Sequence, residues 1–183
     1  MTVLVAYASV HGSTRGVAER IASRIAAHGM EVDCLPVDQV DSLDAYDSFV
    51  IGSAIHNQAW LPEARRFATD NAAVLWARPV WLFSVGMPGA LGRPLRRWAR
   101  VEGPKVLDPI TRTIGSRGEH LFSGVVAPGQ LSAFGRAVFR LMGGHWGDFR
   151  NWPAIDDWAD GIASALEADR HEALDADTAR RRR

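Results

Sequence analysis

The chain lacks most of the features that would mark a secreted, membrane-spanning or metal-bound protein. Cys34 is its only cysteine, which excludes an internal disulfide and any metal centre built from several thiolates. No run of 18 apolar residues occurs, so no segment reads as a membrane-crossing helix. The apolar start also has no basic stretch before it, as a secretory signal would. A cytoplasmic protein is expected. Net charge is missing too, since 21 basic residues balance 21 acidic ones, and Lys105 is the only lysine. There is no G-x-x-x-x-G-K-[ST] loop for a nucleoside triphosphate and no G-x-G-x-x-G dinucleotide fingerprint. A G-x-S-x-G elbow and an H-E-x-x-H pair are likewise absent, and the six histidines are scattered, so neither hydrolase nor metal chemistry is indicated. The four arginines at 180–183 have no basic folded surface behind them, and nucleic acid is not expected as a partner.

What is present fits one domain. The 183 residues are 47% hydrophobic, enough for a substantial core. Apolar strands alternate with amphipathic helices: strands at 3–8, 31–37, 48–53, 79–85 and 120–127, helices at 15–28, 62–77, 131–142 and 153–167. Residues 90–101 read as a basic helix and 103–116 as a further one. This alternation implies right-handed crossovers and a parallel sheet covered on both faces. The domain spans 1–169, and the polar, Arg-ended stretch 170–183 reads as a disordered tail.

The first strand leads into Ser9-Val10-His11-Gly12-Ser13-Thr14 and then directly into a helix. Three hydroxyls, one glycine and a helix N-terminus converge on one turn, an arrangement that suits an anion. With no lysine, the ligand implied is a monophosphate held by hydroxyls and amides. The alternative is that Ser13 or Thr14 merely caps the helix.

An apolar strand followed by a Ser/Thr-x-Thr-Gly-x-Thr turn and a helix resembles the phosphate loop of the flavodoxin-like proteins. Ser9, Gly12, Ser13 and Thr14 stand in its slots, and His11 departs from the usual small hydroxyl residue. The resemblance implies a doubly wound, five-stranded parallel sheet of order 2-1-3-4-5, with the ligand at the carboxyl ends of strands 1 and 3, where the order reverses. Three loops should meet there. The second, 53–60, offers Ala54, Ile55, His56, Asn57 and Trp60 to a flat ring, with His56 as a possible proton donor. Trp60 could instead staple the next helix to the core. The third loop, Ser84, Val85, Gly86, Met87 and Gly89, is small enough for close approach of a ligand, or is only a turn. FMN is the implied cofactor, since no second nucleotide segment accompanies the first. A deazaflavin carries the same ribityl phosphate.

Two Arg-bearing apolar segments lie beyond these loops. Arg93, Arg96, Arg97 and Trp98 could meet anionic lipid or an acidic substrate, or form a solvated helix face. Leu131 to Met142 carries Arg136 and Arg140 at the edge of an apolar face that more simply packs on the sheet. Together with Gly143-Gly144 and Gly147-Asp148-Phe149-Arg150-Asn151-Trp152, this region resembles the menaquinone-dependent protoporphyrinogen oxidases, whose segment reads Gly-Asp-x-Arg-Asp-Trp. Here Asn151 replaces the second Asp, and Asp148 and Arg150 could simply cap and tether the last helix. That resemblance implies an FMN-dependent oxidoreductase linked to a quinone. A non-enzymatic flavodoxin carrier is the alternative, against which the absence of negative charge counts, and a module without flavin is a third. A homo-oligomer is compatible with all three.

Overall fold

The computed structural model describes residues 1–87, 110–130, 136, 139–141 and 143–181. Strand β1 (Thr2–Ala8) is fully apolar and buried from Val3 to Ala8, as a strand covered on both faces must be. It pairs in parallel with β2 (Glu31–Pro36) on one side and β3 (Ser48–His56) on the other. Beyond β3 follow β5 (Val80–Gly86) and β6 (Gly118–Ser123), also parallel. A two-residue strand, β4 (Ala59–Trp60), pairs antiparallel with the end of β3. The sheet order β2-β1-β3-β5-β6 is the expected 2-1-3-4-5 arrangement once β4 is set aside.

Strand alternation splits the core into two layers. Val3, Val5, Val50, Phe83 and Val85 face α1 (Ser13–Ala27) and the last helix, α4 (Trp152–Arg181). Leu4, Ala6, Phe49, Ile51, Val80 and Leu82 face α2 (Pro62–Asp70), α3 (Ala72–Trp76) and the helical residues 110–114. Gly52 is required in this packing, because the Phe83 ring on the neighbouring strand occupies the place of its missing Cβ. Val17, Ile21 and Ile25 of α1 meet Ile155, Ala159, Ile162 and Leu166 of α4, at the spacing of one helical face. Along the rim of that contact Arg20 forks onto Asp156 with both bonds at 2.6 Å. Arg24 pairs with Asp160, and His28 lies 3.2 Å from Asp160 and 3.4 Å from Glu167. Cys34 is half-buried on the α1 face, and burial pushes its thiol up to about 11, so it remains protonated.

Several expected boundaries move, each for a local reason. β3 does not end at Ser53 but continues to His56 and turns back through Asn57 and Gln58, both left-handed (φ 51 and 60). The second loop is thus a two-residue hairpin of the kind that needs positive φ at both central positions. The single helix expected over 62–77 breaks at Asn71, whose Nδ2 donates to Phe67 O at 2.8 Å and closes α2. The last strand, expected over 120–127, is interrupted at Gly124: β6 stops at Ser123, and β7 (Val125–Val126) pairs antiparallel with β8 (Gly147–Asp148).

α4 runs through Arg181, so the stretch expected to be a disordered tail from 170 is helical to that point. Its composition explains this, since Glu, Ala, Leu and Arg favour helix without needing a buried face. Asn151 Oδ1 accepts from the Ala154 N–H at 3.3 Å at the start of α4. The expected helix over 90–101, with Arg93, Arg96, Arg97 and Trp98, lies outside the described residues, as does Gly89. Of residues 131–142 only 136 and 139–141 are described. There Phe139 is buried against Val126, Trp146 and Phe149. Among the described residues no helix is long and apolar enough to cross a membrane.

Candidate functional site

The turn after β1 is built around Gly12. Its φ of 79° is the left-handed conformation that glycine adopts without strain. Its N–H donates to Ser9 Oγ at 3.1 Å, and its carbonyl accepts from the Gly16 N–H at 3.0 Å, starting α1. Among the described residues no side chain caps this helix, so the first-turn N–H groups point into the space beyond the turn. A cavity of about 300 Å³ opens there, at the carboxyl ends of β1, β3, β5 and β6. On its turn side stand Ser9, Val10, His11, Ser13 and Thr14, and on its hairpin side Ala54, Ile55, His56 and Leu61. Val85, Gly86 and Met87 come from the end of β5, and Gly124 and Val125 from the break after β6.

The chemistry of the lining divides in two. Near the start of α1 it is hydroxyl, imidazole and amide, with no carboxylate among the described residues of the wall to oppose an anion. The remainder is mostly apolar: Val10, Ala54, Ile55, Leu61, Val85, Met87 and Val125, with His56 at the mouth. Such a cavity accepts a ligand with one anionic end and one apolar body. His11, Val10, His56 and Met87 are exposed at the mouth, whereas Thr14 is buried.

Ten of the expected residues come together here: Ser9, His11, Ser13, Thr14, Ala54, Ile55, His56, Val85, Gly86 and Met87. Gly12 shapes the turn from outside the cavity. Trp60 does not line the ring site as expected. The hairpin returns it opposite Ile55 and into the core, 1% exposed, where its Nε1 donates to Ser84 Oγ at 2.7 Å. Ser84 is for the same reason a buried partner of Trp60 and no wall of the cavity. Asn57 is at the exposed tip of the hairpin. Leu61, which does form a wall, is held by its N–H to Ser53 Oγ at 3.0 Å.

Val10, Leu61, Gly124 and Val125 are cavity residues that the sequence reading missed. Gly124 had a visible signal, a glycine inside an apolar strand. A Cβ there would lie 2.6 Å from Ser13 Oγ and 2.7 Å from Val85 Cγ1. Its absence lets the β6–β7 break close on the turn, where the Val125 N–H donates to Ser13 Oγ at 2.9 Å and the Gly124 N–H to Gly86 O at 2.9 Å.

A family model described as Flavodoxin domain matches residues 4–142. No curated protein matches the chain. Among solved structures, the rubredoxin oxygen:oxidoreductase of Desulfovibrio gigas superposes with a TM-score of 0.60 at 16% identity, over 91% of this chain and 36% of that one. The chain therefore spans little more than a third of that protein. A flavodoxin from the domain Archaea gives 0.59 at 16% identity, and flavodoxin 2 from Bacillus cereus 0.57 at 21%, each over 91% of this chain and 99% of the other. At these identities the likeness is one of fold.

Proposed function

Because the chain belongs to the flavodoxin domain family, we propose that it binds FMN and acts as an oxidoreductase toward a small apolar, quinone-like partner. The observation that carries this is the two-part cavity at the point where the strand order reverses. Its uncapped helix start is flanked by Ser9, Ser13 and Thr14, and an aliphatic wall continues from it. The site suits the group by its donor set, hydroxyl and amide N–H groups that can hydrogen-bond a phosphate without a lysine, and by the lack of carboxylates among its described lining residues. When bound, FMN supplies one- and two-electron chemistry at its ring.

The protein's part is to hold and orient. The Ser13, Thr14 and Arg15 amides and the Ser9 and Ser13 hydroxyls take the phosphate, while Ala54, Ile55, Val85 and Gly86 bring backbone to the ring edge. His56, exposed at the end of β3, places an imidazole at the mouth of the cavity. Apolar side chains are exposed at the mouth beside His11 and His56, with Val10 60% and Met87 43% exposed, and the net charge of the chain is zero. Those two features favour a small apolar partner over a basic protein.

Protoporphyrinogen oxidation is the finer activity suggested by the Gly147-to-Trp152 segment, and a deazaflavin would use the same phosphate turn. A second reading, a flavodoxin-type electron carrier, draws support from the flavodoxins that the chain matches along nearly their whole length. The test is an absorption titration with FMN and, in parallel, a deazaflavin, then anaerobic reduction and addition of a soluble menaquinone analogue. Stoichiometric FMN binding with rapid reoxidation by quinone is expected. Binding followed by slow, one-electron reoxidation assigns the carrier role, and failure to bind either flavin removes the proposal.

A further inference from the structure

Residues 147–152 form no wall of the cavity, yet they are tied to it from behind. β8 pairs with β7 through Val125↔Asp148 and Val126↔Gly147, and the Phe149 N–H donates to Gly124 O at 3.1 Å. The next link is the Val125 N–H to Ser13 Oγ bond, and Ser13 is the first residue of α1. A continuous hydrogen-bonded path thus runs from β8 to the helix start that faces the anion end of the cavity. A second connection is made by Arg150 directly. Its Nε donates to the Asp148 carboxylate at 2.9 and 3.1 Å and its Nη2 at 2.5 Å, and the guanidinium lies over the Trp152 ring at 4.5 Å. Its Nη1 is 2.7 Å from where a Cβ on Gly16 would stand, so the glycine is what admits it. Gly16 is the residue whose N–H closes the turn on Gly12 O. A forked, stacked guanidinium is rigid in a way that an ammonium on a flexible stem is not.

We infer that Arg150 is a positioning residue: the Asp148–Arg150 pair clamps the β7–β8 ribbon to the first two turns of α1 and so sets Ser13 and the neighbouring amides in place for a phosphate. This rests on the FMN reading given above. Because the pair is neutral as a whole, it acts through geometry. Coupling of this kind is reciprocal, so a phosphate that orders the turn also tightens the ribbon.

The test compares FMN with riboflavin, which lacks only the phosphate, in full-length Arg150→Gln and Gly16→Ala. The second variant displaces the guanidinium while adding a residue of higher helix propensity, which separates loss of the clamp from general destabilisation. Both variants are expected to lose about tenfold in FMN affinity and to keep riboflavin affinity within about twofold, with the double variant losing no more than either alone. Equal losses for both ligands, or none, would overturn the clamp. If the wild-type chain binds neither flavin, the functional reading fails. The clamp is then decided by native-state hydrogen exchange without ligand: faster exchange of the Val125 amide in Arg150→Gln supports it, and an unchanged rate overturns it.

Discussion

Trp60 and Ser84 show how a single side chain can look functional in sequence and prove structural. The hydroxyl of Ser84 is wholly buried, and the indole N–H is its hydrogen-bond donor. Trp60→Phe is expected to destabilise the fold by about 1–3 kcal/mol, because it leaves that oxygen unpaired. Trp60→Phe with Ser84→Ala should recover part of the loss, and urea denaturation reads both. Flavin affinity should not change, since neither residue reaches the cavity. The aromatic at position 60 was legible; its direction was not. Direction depends on a hairpin through Asn57 and Gln58, and Gln58 in the left-handed region leaves none of the Asn-Gly signal by which such turns are read. Gly124 is the converse case, visible as a break but meaningless until Ser13 and Val85 are seen around it. Gly124→Ala should cost about 1–3 kcal/mol through overpacking. It should also weaken FMN binding, measurable by flavin fluorescence quenching.

At the scale of elements, the α1–α4 contact combines an apolar face with a row of ion pairs. Arg20 holds the Asp156 carboxyl, and Arg24 with His28 the Asp160 carboxyl, below the ordinary carboxylate range. A carboxylate whose folded value is depressed adds stability above its unfolded value, near 4, and loses it as the pH falls through the lower folded value. The urea midpoint of the wild type should therefore drop more steeply below about pH 4 than that of Asp156→Asn/Asp160→Asn. Parallel curves would show that the exposed pairs contribute nothing measurable. The C-terminal part of α4 makes a different prediction. Asp175, Ala176, Thr178, Arg180 and Arg181 are exposed, so ending the chain at Leu174 should leave stability within about 0.5 kcal/mol. Helical circular dichroism should fall with it. Apolar periodicity ends after Leu166, so the sequence pattern does not carry the helix further; beyond it the helix rests on propensity and on contacts such as Arg117 with Asp169 that only the fold brings together. The inner strands β1, β3 and β5 were legible as short, nearly continuous apolar runs, whereas the outer β2 and β6 mix Glu31, Asp33, Glu119 and His120 with apolar residues, as edge strands do. The β7–β8 ribbon was not, since two-residue strands carry no period.

For the molecule as a whole, topology points to the first cavity before any motif does: the strand order reverses between β1 and β3, and the cavity opens at the carboxyl ends of these strands. A second cavity, of about 360 Å³, lies away from these loops, lined by Met1, His28, Met30, Leu166, Arg170 and His171 among others. Its walls are basic and apolar in part, but they include the Glu167 carboxylate, whereas the described lining of the first cavity carries none. What distinguishes the first is the uncapped start of α1 with its hydroxyls, against the C-terminal end of α1 at the second. The direct measurement is an amide chemical-shift titration of the isotopically labelled chain with FMN. The largest shifts are expected at 9–15, 54–56, 85–87 and 124–125, with the amides of Ser13, Thr14 and Arg15 moving downfield as they meet the phosphate. Shifts centred on residues 28–30 and 166–174, or none at saturating FMN, would contradict the account.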